Sequence, residues 1–290
     1  MSLKADKITL SAPAKVNLFL DITGKLENGY HTLNTVMQQI SLADIVEIEA
    51  KDGDGCTVRC DNPDIPCDER NIAFKACRAF LEAVGEKAHV DIFIKKNIPV
   101  EAGLGGSSTD GAAVLKGLNS LYGKPLTREQ LCEIGAGLGA DVPFCIKGGA
   151  AICTGVGEKM ESLHIPGELF YVIIKPHFAN NTGKAYALYD QKPVPVNGGF
   201  DGFIRMLRQG EAEKAAKSLY NVFQRLYEDR RIEEICGALL KVGALGASMS
   251  GSGSAVFGMF TDKKAAEAAA EKLSCKKPFT AAGLAFPDEL

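Results

Sequence analysis

Pro99-Val100-Glu101-Ala102-Gly103-Leu104-Gly105-Gly106-Ser107-Ser108-Thr109-Asp110 joins a strand pattern to a helix pattern and concentrates three glycines and three hydroxyls at the junction. Ahead of it, Val90, Ile92 and Ile94 alternate along a segment that runs to Ile98. Behind it, Val114, Leu118 and Leu121 recur at helical spacing. Ser107 to Asp110 are the candidate helix caps. A helix N-terminus offers unpaired N–H groups and the positive end of a dipole, and Gly103, Gly105 and Gly106 let an anion approach the backbone with no Cβ in the way. The stretch fits a phosphate cradle. It fits a glycine turn closed by a serine cap as well. It matches neither common nucleotide signature, because no Lys-Ser/Thr follows the last glycine and Ser108 stands where the dinucleotide fingerprint has glycine.

The 290 residues are 46% hydrophobic, enough for a substantial core divided between two modest domains. With 33 basic residues against 36 acidic, the formal charge of −3 supplies no field for a nucleic-acid partner, whereas a small anion held by a local loop remains compatible. Nine cysteines without a CxxC pair read as reduced cytosolic thiols, not as a disulfide framework. Cys56, Cys60, Cys67 and Cys77 cluster, but at spacings foreign to common zinc sites, and are read as structural. The first residues carry charge but no apolar leader, with Ser2-Leu3 read as a cloning remnant. No stretch reaches membrane length without charges or breakers, so a cytoplasmic protein with no membrane partner is expected, as a monomer or weak homodimer.

Along the chain, Val16, Leu18, Leu20 and Ile22 alternate as in a half-buried strand, which places Lys15 and Asn17 together on the opposite face. Strand patterns at Val36 to Ile40, Ile45 to Glu49 and Cys56 to Cys60 suggest a run of antiparallel strands. Asp68 to Val84 reads as an amphipathic helix burying Ile72, Ala76, Ala79, Phe80 and Ala83. A second helix, capped by Thr127, carries Leu131, Ile134 and Leu138, and a short apolar strand lies within Lys147 to Gly157. The texture breaks at Leu163 to Gly167, where the domain boundary is placed. Beyond it come a strand at Leu169 to Ile174, helices across Phe203 to Leu207, Glu211 to Leu226 and Arg231 to Val242, and a strand-loop-strand at Gly246 to Met259. A helix at Asp262 to Leu273 and a strand at Phe279 to Leu284 close the chain.

Several polar residues could carry chemistry. Asp141 sits among small and apolar neighbours in Gly139-Ala140-Asp141-Val142-Pro143-Phe144, where it could be a positioned base, a metal ligand, or merely the turn ahead of Pro143. Lys15 is either a solvated strand lysine or, given Ala12-Pro13-Ala14 before it, a semi-buried ammonium. Ala247 to Ser254 resembles a flexible linker, yet it lies between strand patterns, which favours a tight loop close to a ligand or to the first glycine loop. Tyr30, His31, Thr182 and Tyr186 complete the candidates, although such aromatics are more often core than ligand platform.

Pro13-Ala14-Lys15-Val16-Asn17, Pro99 to Asp110 and Ser250-Gly251-Ser252-Gly253, in that order, together resemble the GHMP small-molecule kinases. Ala12 to Leu18, the segment from Asp21-Ile22 to Gly29-Tyr30-His31, and Gly139 to Phe144 resemble more narrowly those members that phosphorylate a cytidyl diphosphate sugar alcohol. The resemblance spans essentially the whole chain and is densest before Gly157.

It implies a two-domain α+β fold, with a ribosomal-S5-domain-2-like unit over residues 1–162 and a ferredoxin-like unit over 163–290, and transfer of the γ-phosphate of ATP to a hydroxyl. By the same resemblance Pro99, Val100, Glu101, Ala102, Gly103, Leu104, Gly105, Gly106, Ser107, Ser108 and Thr109 would hold ATP, with Ser107 or Ser108 reaching Mg²⁺. Asp141 would take the hydroxyl proton and Lys15 would orient it. His31 would hydrogen-bond the cytosine, Tyr30 and Tyr186 would stack around it, and Asn17 and Thr182 would lie beside the rest of the acceptor. Val100-Glu101 departs from the smaller or neutral pair common in the family, and an acid there suits a triphosphate only if it faces solvent. A GHMP kinase for mevalonate, homoserine or a sugar, or a non-catalytic nucleotide-binding protein of this fold, are the competing readings. The presence of both Lys15 and Asp141 speaks against the last.

Overall fold

The computed structural model describes residues 6–285, so the Ser2-Leu3 pair and the charged N-terminal residues before Asp6 lie outside the described residues. In chain order, the first half comprises β1 (Lys7–Lys25), β2 (His31–Lys51), β3 (Gly55–Cys60), α1 (Ile72–Val84), β4 (His89–Lys95), α2 (Gly106–Leu121), α3 (Arg128–Leu138), α4 (Val142–Lys147), β5 (Ala150–Gly155) and β6 (Lys159–Ser162). The second half comprises β7 (Phe170–Ile174), α5 (Thr182–Gln191), α6 (Phe200–Arg208), α7 (Ala212–Lys217), β8 (Tyr220–Asn221), α8 (Val222–Tyr227), α9 (Arg230–Lys241), β9 (Gly246–Met249), β10 (Val256–Phe260), α10 (Lys263–Lys272) and β11 (Phe279–Ala282).

Two sheets result. In the first, β1 and β2 pair antiparallel along almost their whole length, β4 joins the second half of β2, and β5 joins its first half. The two strand patterns predicted at Val36 to Ile40 and Ile45 to Glu49 are therefore one strand. Its middle bulges: the register passes from Pro13↔Ala43 to Lys15↔Gln39, leaving residues 40–42 of β2 opposite Ala14 alone. The run is not wholly antiparallel either, because β3 pairs parallel with β4; the connection between them carries α1, the kind of crossover that parallel pairing requires. The second sheet, in the order β11-β7-β10-β9, is antiparallel throughout.

β1 is buried on both faces from Ala14 to Ile22, not half-buried as its alternation suggests. One apolar cluster unites Met37, Val46 and Ile48 with α1, α2 and α4, while a second unites Val16, Leu18, Phe19 and Ile22 with β7, β10 and the helices of the second half. Phe19 is the pivot of the second cluster, its ring centroid lying 5.2 Å from Phe200, 5.5 Å from Phe203 and 5.3 Å from Tyr220. Each such aromatic pair contributes about 0.5–1.5 kcal/mol beyond the area it buries, so the second half is anchored directly on β1.

Two helices also differ from expectation. α1 buries Ala73, Ala76, Cys77, Phe80 and Leu81 and leaves Ala83 exposed, because turning Cys77 and Leu81 inward removes more apolar area from water than two alanines would. The helix expected over Glu211 to Leu226 is split at Asn221, whose carboxamide accepts from Phe223 N and Gln224 N and donates to Met249 O at 2.7 Å and Gly251 O at 2.9 Å. Such local bonding competes with the helical ladder and restarts it as α8.

α2 lies flush on the first sheet. A Cβ on Gly117 would stand 2.4 Å from Ile48 Cδ1 and 2.8 Å from Leu10 Cδ1, so a larger residue there would have to displace both side-chain ends. At its N-terminal end the glycine loop meets the loop after β9: Gly103, at φ 74°, is so close that a Cβ would stand 2.1 Å from the Ser250 carbonyl oxygen. Gly103→Ala combines that backbone overlap with a left-handed conformation costing about 1–2 kcal/mol. It is expected to lower Tm by about 4 °C or more in thermal unfolding; an unchanged Tm would contradict this packing.

Candidate active site

The cradle is built from backbone. Gly105, at φ 73°, occupies the cap position of α2 without any side-chain capping bond, so the expected caps Ser107 to Asp110 do not cap. Thr109 N–H donates to Gly105 O at 2.9 Å, and the amides of Gly106, Ser107 and Ser108 precede that bond at the positive end of a 16-residue helix. Thr109 and Asp110 are buried behind the loop. Glu101 is exposed to solvent, the placement its charge requires. Three bonds tie the loop down: Lys15 N–H to Leu104 O at 2.9 Å, Ala255 N–H to Ala102 O at 3.0 Å, and the Ser250 hydroxyl to Gly103 O at 2.9 Å. The three blocks singled out in the sequence thus touch one another.

Lys15 passes beneath this loop. A Cβ on Gly105 would stand 3.0 Å from Lys15 Cγ, and the Lys15 side chain is only 5% exposed. Its Nζ donates to Asn17 Oδ1 at 2.6 Å and lies 3.4 Å from Asp141 Oδ2. Asp141 stands at the cap position of α4 but makes no capping bond, which leaves its carboxylate, 34% exposed, facing Lys15 and the cleft. Pro143 near the start of α4 sets that turn, a position where a missing N–H costs nothing.

At the other end, His31 Nε2 pairs with Asp190 Oδ1 at 2.7 Å, and Lys25 Nζ with Asp190 Oδ2 at 2.6 Å. These two bonds, the lysine's first, hold the Asp190 carboxyl below its ordinary pKa. Tyr186 stacks on His31 at 4.9 Å and meets Phe223 edge-on at 5.0 Å, while Tyr30 is 66% exposed. The Thr182 hydroxyl bonds that of Ser252 at 2.8 Å, joining α5 to the loop between β9 and β10.

One cleft of 790 Å³ joins both ends, lined by Lys15, Asn17, Tyr30, His31, Asp141, Thr182, Tyr186 and every loop residue from Pro99 to Ser108; Thr109 is outside it. Among the described residues, no three His, Cys, Asp or Glu side chains form a metal-binding group. At the glycine-loop end the lining includes the hydroxyls of Ser107 and Ser108 and the Asp141 carboxylate, oxygen donors compatible with Mg²⁺, which favours few protein ligands together with phosphate and water.

The GHMP kinases N terminal domain matches residues 71–149 and the GHMP kinases C terminal domain matches residues 200–278. A 4-diphosphocytidyl-2-C-methyl-D-erythritol kinase from Clostridium tetani (strain Massachusetts / E88) is 40% identical over 269 residues, covering 92% of this chain and 96% of that one. One from Caldicellulosiruptor bescii is 41% identical over 266 residues, covering 91% and 93%. The chain belongs to the 4-diphosphocytidyl-2-C-methyl-D-erythritol kinase family of GHMP kinases. The crystal structure of a 4-(cytidine 5'-diphospho)-2C-methyl-D-erythritol kinase superposes with a TM-score of 0.78 at 32% identity, over 95% of this chain and 99% of that one. As a GHMP kinase the protein has the two-domain α+β fold expected from the sequence and is an ATP-dependent small-molecule kinase. Among the described residues, no helix is long and apolar enough to cross a membrane.

Some residues at the cleft of this GHMP kinase carry no local signal. Asp190 lines it, and its partner Lys25 is 165 positions away, so the two meet only through the fold. Lys96, just ahead of the glycine loop, also lines the cleft. In the structure it is buried between Asp44 and Asp110, pairing with Asp44 Oδ2 and, at 2.8 Å, with Asp110 Oδ2, while Asp110 Oδ1 is buried without a partner. Burial pushes the Asp110 carboxyl up to about 7 against the pull of Lys96. An unfolded aspartate titrates near 4, so between about pH 4 and 7 the folded state binds more protons, and stability falls as pH rises through that window. Asp110→Asn removes this titration. The variant's Tm is expected to decline less than the parent's between pH 4 and 7; parallel Tm–pH curves would contradict the assignment.

Proposed function

We propose that the protein transfers the γ-phosphate of ATP to the 2-hydroxyl of 4-diphosphocytidyl-2-C-methyl-D-erythritol, giving the 2-phosphate and ADP, as a step of non-mevalonate isoprenoid precursor biosynthesis in the cytoplasm. The observation that carries this reading is the Lys15–Asp141 pair at 3.4 Å in the same cleft as the amide cradle of α2. Residues 1–162 and 163–290 are proposed as the two domains.

In this reading the amides of Gly106 to Ser108 and the loop from Pro99 hold the phosphates at the helix N-terminus. Asp141 accepts the proton of the 2-hydroxyl as that oxygen bonds to the γ-phosphorus; the bond from γ-phosphorus to its bridging oxygen breaks, and ADP leaves. Lys15 orients the carboxylate and the hydroxyl. A loose phosphoryl-transfer transition state gains more from such positioning than from raw basicity. Ser107 or Ser108 would hold Mg²⁺ together with the ATP phosphates, and the ion would supply charge neutralisation there. Asn17, Tyr30, His31, Thr182 and Tyr186 receive the acceptor. Because Tyr186 already stacks on the His31 ring and Asp190 occupies Nε2, the ring's Nδ1 and the backbone are left for the base. The resemblance at about 40% identity to kinases bearing this substrate's name favours the cytidyl acceptor over mevalonate, homoserine or a sugar.

ADP release measured with Mg-ATP and each of these acceptors tests the assignment. Turnover with the cytidyl diphosphate alone is expected, and comparable turnover with mevalonate or homoserine would reassign the enzyme. Asp141→Asn should retain ATP binding while kcat falls about 10²–10⁴-fold, the usual worth of a positioned general base; near-normal kcat would remove Asp141 from the reaction. His31→Ala should raise KM for the cytidyl substrate about tenfold with KM for ATP little changed, the loss of one good polar contact. An equal rise in both constants would count against a role in acceptor recognition.

A further inference from the structure

Lys15 owes its direction to Asn17, and Asn17 owes its direction to a residue farther back. The Asn17 carboxamide could in principle turn either its oxygen or its nitrogen toward Lys15, and only the oxygen can accept from an ammonium. On the opposite side, Asn17 Nδ2 donates to Thr35 Oγ1 at 2.9 Å, and the Thr35 hydroxyl donates its proton to Phe19 O at 2.7 Å. With that proton committed to a backbone carbonyl, Thr35 can present only a lone pair to Asn17, which must answer with its NH₂ group. Oδ1 is thereby turned to Lys15, which it meets at 2.6 Å. Thr35 and Asn17 are both buried, and the Asn17 backbone N–H is held by the Ser250 hydroxyl at 3.2 Å, which fixes the strand from which the Asn17 side chain projects.

We infer that Thr35 is a positioning residue for phosphoryl transfer, setting the amide orientation of Asn17 and through it the placement of the Lys15 ammonium beside Asp141. The inference rests on Lys15 and Asp141 serving the reaction as proposed above. It also adds to what Asn17 does: each end of its amide holds one bond to the protein, which aims Lys15 and leaves a second N–H and a second lone pair for the acceptor. Donation runs one way along this chain, from Lys15 through Asn17 and Thr35 to the Phe19 carbonyl, and at position 35 a hydroxyl both donates and accepts, which a methyl cannot do.

Thr35→Val replaces the hydroxyl by a methyl of nearly the same size. It is expected to lower kcat about 10- to 100-fold, the consequence of a slightly misplaced catalytic group, with KM for ATP unchanged, and Thr35→Ser should restore kcat to within about twofold because the hydroxyl alone is needed. Lys15→Ala, assayed alongside, separates the two levels of the reading: if it retains turnover, the proposed site is wrong, whereas if it abolishes turnover while folded Thr35→Val keeps the parental kcat, the relay through Thr35 is wrong. Should Thr35→Val not accumulate as folded protein, Thr35→Cys, whose sulfur is a weak donor and acceptor, is expected to fall below Thr35→Ser in kcat at matched Tm. Equal kcat in the Cys and Ser variants would overturn the inference.

Discussion

Burying an ammonium is costly unless it is paired with groups of the right polarity, and the arrangement around Lys15 answers that constraint. Its stem is covered by the glycine loop, its backbone N–H is spent on Leu104, and its Nζ is held by Asn17 and faced by Asp141. The stem fills the space beside Gly105, and the left-handed φ of 73° there adds its own preference for glycine where the loop closes over the lysine. The glycine loop and the Lys15–Asp141 pair are therefore one packed unit, built around the same lysine.

The bulge in β2 lies beside this unit. Residues 40–42 stand opposite Ala14 alone, the register shifts between Pro13 and Lys15, and the Lys15 N–H donates to Leu104 O. The same strand is fixed from behind by Phe19 among Phe200, Phe203 and Tyr220. A residue that presents chemistry to the cleft thus lies four positions from one that locks the second half of the molecule in place. Ser250 completes the link, bridging Asn17 N–H and Gly103 O across the two halves.

What could be read in the chain followed the range of the interactions responsible. The strand to loop to helix at Val90 to Leu121 is a local pattern, and it was legible. The faces of α1 and the break at Asn221 depend on what lies opposite, Leu81 against the sheet in one case and Met249 and Gly251 in the other, and periodicity cannot see those partners. Asp141 shows the limit most clearly. Its neighbours suggest a turn, and it does sit at a turn, but its freedom from capping and its 3.4 Å approach to Lys15 are properties of two segments 126 positions apart. The resemblance to GHMP kinases supplied what local reasoning could not, since it carries the outcome of the fold.

The charges lining the cleft place a further demand on phosphate binding. Among the described lining residues the lysines are Lys15 and Lys96, and each already faces carboxylates: Asp141 for the first, Asp44 and Asp110 for the second. Neither is a spare cation of the kind that dominates many phosphate sites. In the proposed reaction the triphosphate must then be met by the amides at the start of α2, whose partial charges require no counter-ion, and by the divalent cation that accompanies ATP. Such a division keeps Lys15 for the acceptor hydroxyl and Asp141. On that proposal a chain of formal charge −3 would accommodate a nucleoside triphosphate and a cytidyl diphosphate in one cleft because neutralisation would come locally from dipoles and a divalent cation, not from an excess of basic side chains.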